Sequence, residues 1–316
     1  MPASSPHQPK PHQPKRFTPG AASAPAISTP ESLGGGSPDE ITYATGARTR
    51  VGRALIRSIE NITGRPRLIR MALDYQREMA QGKTFWEVMV SRYKVTLDLP
   101  GRGLANIPTD GPLVCVANHP FGILDGLTFG HIMAKTRPDF KILANSVFVK
   151  APEVEPHILP IDFAETRESV KLNIETRKKA LEYLKAGGCI GVFPGGTVST
   201  GSKFYKQPFD PEWKTFTAKL IQNSGASVTP MYFVGRNSRL FQVASHLSDT
   251  LRLALLINEF DNRVGEAVTV VIGEPIPPET IARYRGDSRG LMRFLRSHTY
   301  SLSPTPIRIE IGKQWD

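Results

Sequence analysis

Cysteine is scarce: the 316 residues contain two, Cys115 and Cys189, each inside an apolar run. That excludes a disulfide framework and reads as two small core residues. No Cys-x-x-Cys pair occurs, which speaks against a cysteine-rich zinc site. No apolar run approaches the roughly 18 residues that a membrane-spanning helix needs, so no such helix is expected. The first residues hold no apolar h-region, and a secretory signal is not expected either. Acidic side chains are also short: 29 against 40 Lys and Arg, a net charge of +11.

That excess is local. Residues 41–70 carry seven arginines against the single acid Glu60, more than half of the surplus in 30 positions. Val51, Leu55, Ile59 and Ile62 fall at helical spacing on one face, and Arg50, Arg53 and Arg57 share another. Such a basic amphipathic helix lies on an anionic membrane surface. Alternatively it packs Val51, Leu55 and Ile59 on the main domain and solvates its arginines. A nucleic-acid partner is not expected, because no recognition module is visible and the rest of the chain is only mildly basic.

Residues 1–40 hold nine Pro, four Gly and six Ser, and Pro6-His7-Gln8-Pro9-Lys10 repeats at once as Pro11–Lys15. This composition cannot bury enough apolar surface to order itself. The chain therefore divides into a tail (1–45), a basic helical segment (46–90) and a main domain (91–316). Helical patterns cover 46–60 and 66–90, and a short strand fits Lys94–Leu99. Then short apolar strands alternate with helices: strands at Pro112–Ala117, Lys141–Ala144, His157–Ile161, Cys189–Phe193, Ser227–Phe233 and Ala267–Ile272, with helices at 126–134, 167–186, 213–223, 247–260 and 278–298. This order argues an α/β fold, a mostly parallel mixed sheet covered by helices on both faces, with an N-terminal helical segment. In such sheets ligands bind beyond the carboxyl ends of the strands.

Two loops that follow strands carry the chemistry. In Asn118-His119-Pro120-Phe121-Gly122-Ile123-Leu124-Asp125, a His at a strand end precedes an Asp at a helix start. The Asp suits orientation of a general-base imidazole, or serves as a plain helix cap. Phe193-Pro194-Gly195-Gly196-Thr197-Val198-Ser199-Thr200 is rich in backbone N–H groups and hydroxyls, and suits a phosphate or a developing oxyanion. It is not a P-loop, since no Gly-Lys-Ser/Thr follows. Ile158-Leu159-Pro160-Ile161-Asp162-Phe163, Val228-Thr229-Pro230 and Gly273-Glu274-Pro275-Ile276 complete the series.

In this order and spacing, residues 90–280 resemble the glycerolipid acyltransferase family, in particular a bacterial hemolysin-like subgroup of lysophospholipid acyltransferases. The acyltransferases of ornithine-containing lipids are related. Three departures stand out. Five residues separate His119 from Asp125 where the family has four, so the loop must bulge, which Gly122 permits. The family's Glu in the second loop is Gly195, and its Arg after Ile-Asp is Phe163. Both missing groups serve glycerol-phosphate binding in the family, which puts a simple glycerol-phosphate acceptor in doubt.

The resemblance implies an O-acyltransferase that moves a fatty acyl chain from acyl-CoA or acyl carrier protein to the hydroxyl of a lysophospholipid or lyso-aminolipid. His119 and Asp125 are then the catalytic pair. Asn118, Gly195, Gly196, Thr197, Ser199 and Arg167 are the candidate substrate-binding residues, with Asn118 and the two glycines as oxyanion donors. No cofactor or metal is implied. The Phe204-Tyr205-Lys206 run and Trp213-Lys214 suit contact with a bilayer. The expectation is a peripheral enzyme of phospholipid biosynthesis on the cytoplasmic face of a membrane. A non-catalytic lipid-binding relative is the alternative that the longer His–Asp loop raises.

Overall fold

Strand β2 (Leu113–Ala117) is apolar at every position because both of its faces are covered. Leu113, Cys115 and Ala117 point into one hydrophobic core, and Val114 and Val116 into a second. The two-residue period of a strand requires that division. The computed structural model describes residues 42–44, 47, 49–145, 152–162 and 166–315. Residues 1–41 of the Pro-rich tail and Phe163 lie outside them.

β2 is at the centre of a seven-stranded sheet. Its companions are β1 (Thr96–Asp98), β3 (Lys141–Asn145), β4 (Ile158–Ile161), β5 (Cys189–Val192), β6 (Ser227–Phe233) and β7 (Ala267–Ile272), in the order β1-β7-β6-β2-β5-β3-β4. Every neighbouring pair is parallel except β6 with β7. The sheet is thus the expected mostly parallel mixed one.

Helices α4 (Phe85–Arg92), α5 (Ile123–Thr136) and α9 (Asp249–Asn262) cover one face, through Trp86, Phe129 and Phe260. Helices α6 (Arg167–Lys185), α7 (Thr215–Ser224) and α11 (Ser288–Ser301) cover the other, through Leu184, Leu220 and Leu291. The run Leu291–Arg296, amphipathic in sequence, is therefore a core helix. α5 lies close to the sheet because Gly191 offers no side chain: a Cβ there would stand 2.0 Å from the Phe129 ring.

Elements differ from the sequence expectation where the backbone takes positive φ. The single helix expected over 66–90 is three, α2 (Arg65–Ala72), α3 (Gln76–Met79) and α4, with Asp74 at φ 57° and Gly82 at φ 89° in the breaks. The helix expected over 278–298 is α10 (Pro278–Ala282) and α11, parted by Gly286 at φ 84° and restarted by Asp287, whose carboxylate accepts from the Gly290 N–H. A helix with no counterpart in the sequence reading, α8 (Arg239–Leu247), starts at Ser238, whose hydroxyl caps Phe241 and donates to Glu259 on α9.

The largest departure is α1 (Arg50–Ile62). It packs on α9 through Gly52, Ile56 and Glu60, a face offset from the predicted apolar one. Glu60 is fully buried and accepts from the Thr42 hydroxyl and the Tyr43 N–H, at 2.6 and 2.7 Å. Burial pushes its carboxyl up from the ordinary value. Val51, Leu55 and Ile62 are left exposed. Packing of Val51 and Leu55 on the main domain is therefore ruled out.

Candidate active site

β2 and β5 are paired with Val116 beside Val192, so the loops that follow them leave the carboxyl edge of the sheet side by side. The first loop turns on Gly122, at φ 86° and ψ −119°, a conformation that an L-residue enters only with strain. That turn absorbs the extra residue between His119 and Asp125 and starts α5. His119 Nδ1 lies 2.8 Å from Asp125 Oδ2. The same carboxylate oxygen accepts from the N–H groups of Phe121 (2.7 Å) and Gly122 (3.0 Å). Asp125 is fully buried, and burial raises its pKa against the opposing pull of His119 and the two amides. Its other oxygen, Oδ1, is buried without a partner.

The bond to Asp125 fixes Nδ1 as the protonated nitrogen of a neutral imidazole and leaves Nε2 as the basic one. The His119 ring stacks on Phe193, with centroids 4.3 Å apart and planes at 24°. Phe193 opens the second loop, so each loop holds one side of the imidazole.

Asn118 does a different job from the one its sequence position suggests. Its amide donates to the Phe233 carbonyl at 3.0 Å and accepts from the Phe233 N–H at 2.7 Å. It continues the pairing of β2 with β6 beyond the last strand residue. The side chain is buried and committed to that clamp, which overturns its assignment as an oxyanion donor.

The second loop is organised by a residue that the sequence did not mark, Asp210. It is fully buried. Its Oδ1 accepts from the His119 N–H (3.2 Å) and the Ser199 hydroxyl (2.5 Å), and its Oδ2 from the Trp213 indole (2.9 Å). Ser199 also donates its N–H to the His119 carbonyl at 2.8 Å. Ser199 therefore braces His119 from behind and does not face an acceptor, which corrects its assignment as a binding residue. Trp213 is buried by the same network, which removes it from the expected bilayer contact. Tyr300 of α11 closes the group, its hydroxyl accepting the Asp210 N–H at 2.8 Å.

The two glycines are unlike. The Gly196 N–H closes a turn onto the Phe193 carbonyl at 2.9 Å, with φ at 69°, so it is spent and its oxyanion role is corrected. Gly195 sits against the Asp210 side chain. Thr197 Oγ1 accepts from Arg252 of α9 at 2.5 Å, a second partner that the sequence concealed. Arg167 is not part of this cluster. It is the first residue of α6, behind β4, which is three strands from β2 in the sheet. At the usual strand spacing that is about 14 Å away. Among the described residues no group of three His, Cys, Asp or Glu side chains is placed to hold a metal.

Asp210, Arg252 and Tyr300 carried no local signal. Each reaches the loops across tens of residues of sequence, and no spacing rule connects them.

Residues 101–234 match the family model described as Acyltransferase. A lyso-glycine lipid O-acyltransferase of Phocaeicola vulgatus is 27% identical over 214 residues, 64% of this chain and 72% of that protein. A lyso-glycine lipid O-acyltransferase of Bacteroides thetaiotaomicron is 30% identical over 195 residues, 57% of this chain and 66% of that protein. Among solved structures, the 1-acyl-sn-glycerophosphate (LPA) acyltransferase PlsC from Thermotoga maritima aligns with a TM-score of 0.45 at 16% identity, covering 84% of this chain and 87% of that one.

Proposed function

We propose, from the match of residues 101–234 to the acyltransferase family model and the likeness to lipid O-acyltransferases, that the protein acylates the hydroxyl of a lyso-lipid with an amino-acid head group, of the glycine type that its relatives' names state, using His119 as general base. The observation that carries this is the 2.8 Å contact of His119 Nδ1 with the buried Asp125 carboxylate, at the carboxyl edge of β2. It orients Nε2 towards an incoming hydroxyl. The contact also favours this reading over a non-catalytic relative, since the longer loop still brings the pair together.

In the reaction, Nε2 takes the proton as the acceptor oxygen attacks the carbonyl carbon of a thioester, acyl-CoA or acyl carrier protein. Asp125 stabilises the imidazolium. The Gly195 N–H, the remaining candidate of the two glycine amides, receives the developing oxyanion. As the tetrahedral species collapses the C–S bond breaks, and the imidazolium returns the proton to the leaving sulfur. The products are the ester and a thiol. The thioester is already activated, so a positioned base and an oxyanion donor suffice, with no metal or cofactor.

Both acceptor and product reside in a bilayer, and no described helix is long and apolar enough to cross one. We propose that the enzyme docks on the bilayer as a peripheral protein of the cytoplasmic face, in membrane lipid synthesis. Supporting surfaces converge on α9. α1 packs on it and exposes Val51 and Ile62, 79% and 84% accessible, beside Arg50 and Arg53. α8 also packs on it and exposes Leu240, Val243 and Leu247 along one stripe. The loop bearing Lys203, Phe204 and Tyr205 is tied to α8, since Gln242 accepts the Gly201 N–H at 3.1 Å. Exposed apolar side chains interleaved with cations suit an anionic bilayer.

The decisive test is acyl transfer in vesicles, with labelled acyl-CoA and acyl carrier protein and a panel of lyso-glycine lipid, lyso-ornithine lipid, lysophospholipids and lysophosphatidic acid. Transfer to the amino-acid lipid that vanishes in His119→Ala is expected. Transfer that survives the substitution sinks the base assignment, and transfer to lysophosphatidic acid alone sinks the head group. Separately, Arg50→Glu, Arg53→Glu and Arg57→Glu together should abolish sedimentation with anionic vesicles, and unchanged sedimentation would end the docking role.

A further inference from the structure

Arg252 is in the first turn of α9 and only 8% exposed. Its NH2 nitrogen donates to Thr197 Oγ1 at 2.5 Å and to the Val198 carbonyl at 3.2 Å. Its guanidinium carbon lies 4.4 Å from the centre of the Trp315 ring, with Phe241 on another side at 5.8 Å. Among the described residues no carboxylate pairs with it. Buried Arg137 is a contrast: Asp139 takes it at 3.0 Å, and the carbonyls of Gly111 and Gly187 accept its remaining nitrogens.

Two donors at this place are left over. Arg252 Nε and Trp315 Nε1 are both buried with no acceptor. A buried donor without an acceptor is costly, and Asp249, one turn earlier on α9, acts on the Arg252 charge without pairing with it. Burial lowers the Arg252 pKa from the ordinary value to about 10, which leaves it a cation at neutral pH. A planar fork, a hydroxyl and an indole N–H with no acceptor are what an anion's oxygens satisfy.

The place adjoins the chemistry. Val198, whose carbonyl Arg252 holds, packs 3.4 Å from where a Cβ on Gly122 would stand, and Thr197 is four residues along the same loop from Phe193, on which the His119 ring stacks. We propose that Arg252, with Thr197 and Trp315, binds the carboxylate of the acceptor's head group and so selects lyso-lipids that end in a free carboxylate. The guanidinium fork matches the planar oxygens of a carboxylate, and Lys313, whose Nζ lies 3.9 Å from the centre of the Trp315 ring, adds positive charge beside it. This rests on the acyl-acceptor reading above, and it makes Arg252 the residue that reads the head group.

The test is equilibrium binding to the full chain below the micellar range. The probes are an N-acylglycine, its methyl ester, the alkyl phosphate of equal length, and coenzyme A. Wild type should bind the acid at least about tenfold more tightly than the ester, the worth of a charge-assisted pair. Arg252→Gln should bind acid and ester alike, and Arg252→Lys, which keeps the charge without the fork, should restore part of the difference. Equal binding of acid and ester by wild type overturns the proposal without recourse to any variant. So does tighter binding of the phosphate than of the acid, or a loss in Arg252→Gln confined to coenzyme A. The transfer assay runs alongside. If no lyso-lipid is acylated but the acid is still preferred, the function proposed above fails and the carboxylate site stands. If transfer occurs without that preference, the carboxylate site fails and the function stands.

Discussion

A buried aspartate organises each of the two loops, and the two spend their oxygens differently. Asp125 gathers three donors on Oδ2 and leaves Oδ1 with none. Asp210 divides its donors, two on Oδ1 and the Trp213 indole on Oδ2. The first arrangement tolerates a neutral amide in the same space, because an Asn can place its oxygen where the donors converge and its nitrogen where nothing bonds. The second does not, because either way round one N–H meets another. The difference teaches which carboxylate is kept for its charge and which for its geometry.

Substitution by Asn separates the two. Asp125→Asn should lower kcat about 10³-fold, since a neutral amide cannot stabilise the imidazolium. Its melting temperature should stay near wild type, because the donors keep an acceptor and the loss of a costly buried charge offsets the unpaired amide N–H left at the Oδ1 position. A parallel fall in melting temperature would erase the contrast. Asp210→Asn should reverse the pattern: a loss of about 1–3 kcal/mol from the clash, read as a lower denaturation midpoint, with an activity loss of about tenfold as His119 loses its backing. A stable Asp210→Asn protein would show that the division of donors is not what holds the loop.

The smallest expected effect concerns pH. Arg252 is protonated below about 10 and neutral above. The carboxylate preference should therefore be full at neutral pH and fade as pH rises through about 10, two units or so below an ordinary arginine. Binding of the methyl ester over the same range supplies the control, and a preference that persists to pH 12 would remove Arg252 from the head group.

Legibility in the sequence follows the same division. The β2 loop was readable because its chemistry is local: His119 and Asp125 are joined by one turn, and Gly122 announces the turn. The strands were readable because a doubly covered sheet writes apolar runs such as Leu113–Ala117. What stayed hidden was made by long-range contact. Asp210 and Tyr300 are 90 residues apart, Thr197 and Arg252 are 55, and nothing near any of them in sequence points to the partner. Asn118 misled because an amide beside a histidine at a strand end looks catalytic, whereas its hydrogen bonds serve the sheet. α1 misled because helical periodicity shows which residues share a face but not which face is covered. Glu60, a charged residue on the buried side, is held there by Thr42 and Tyr43, and that cannot be inferred from a pattern of apolar positions.

Gly122 has a consequence in genetic terms. Its backbone takes a left-handed conformation, and a Cβ there would stand 3.2 Å from the Tyr43 hydroxyl and 3.4 Å from Leu256 and Val198. Glycine is the one coded residue without a Cβ, so every missense change of its codon adds both the strain and the crowding. Ordinary mutation offers this position no conservative neighbour. The longer His–Asp loop therefore rests on a codon that drift can alter only silently, and the contact of His119 with Asp125 is as durable as that one achiral residue.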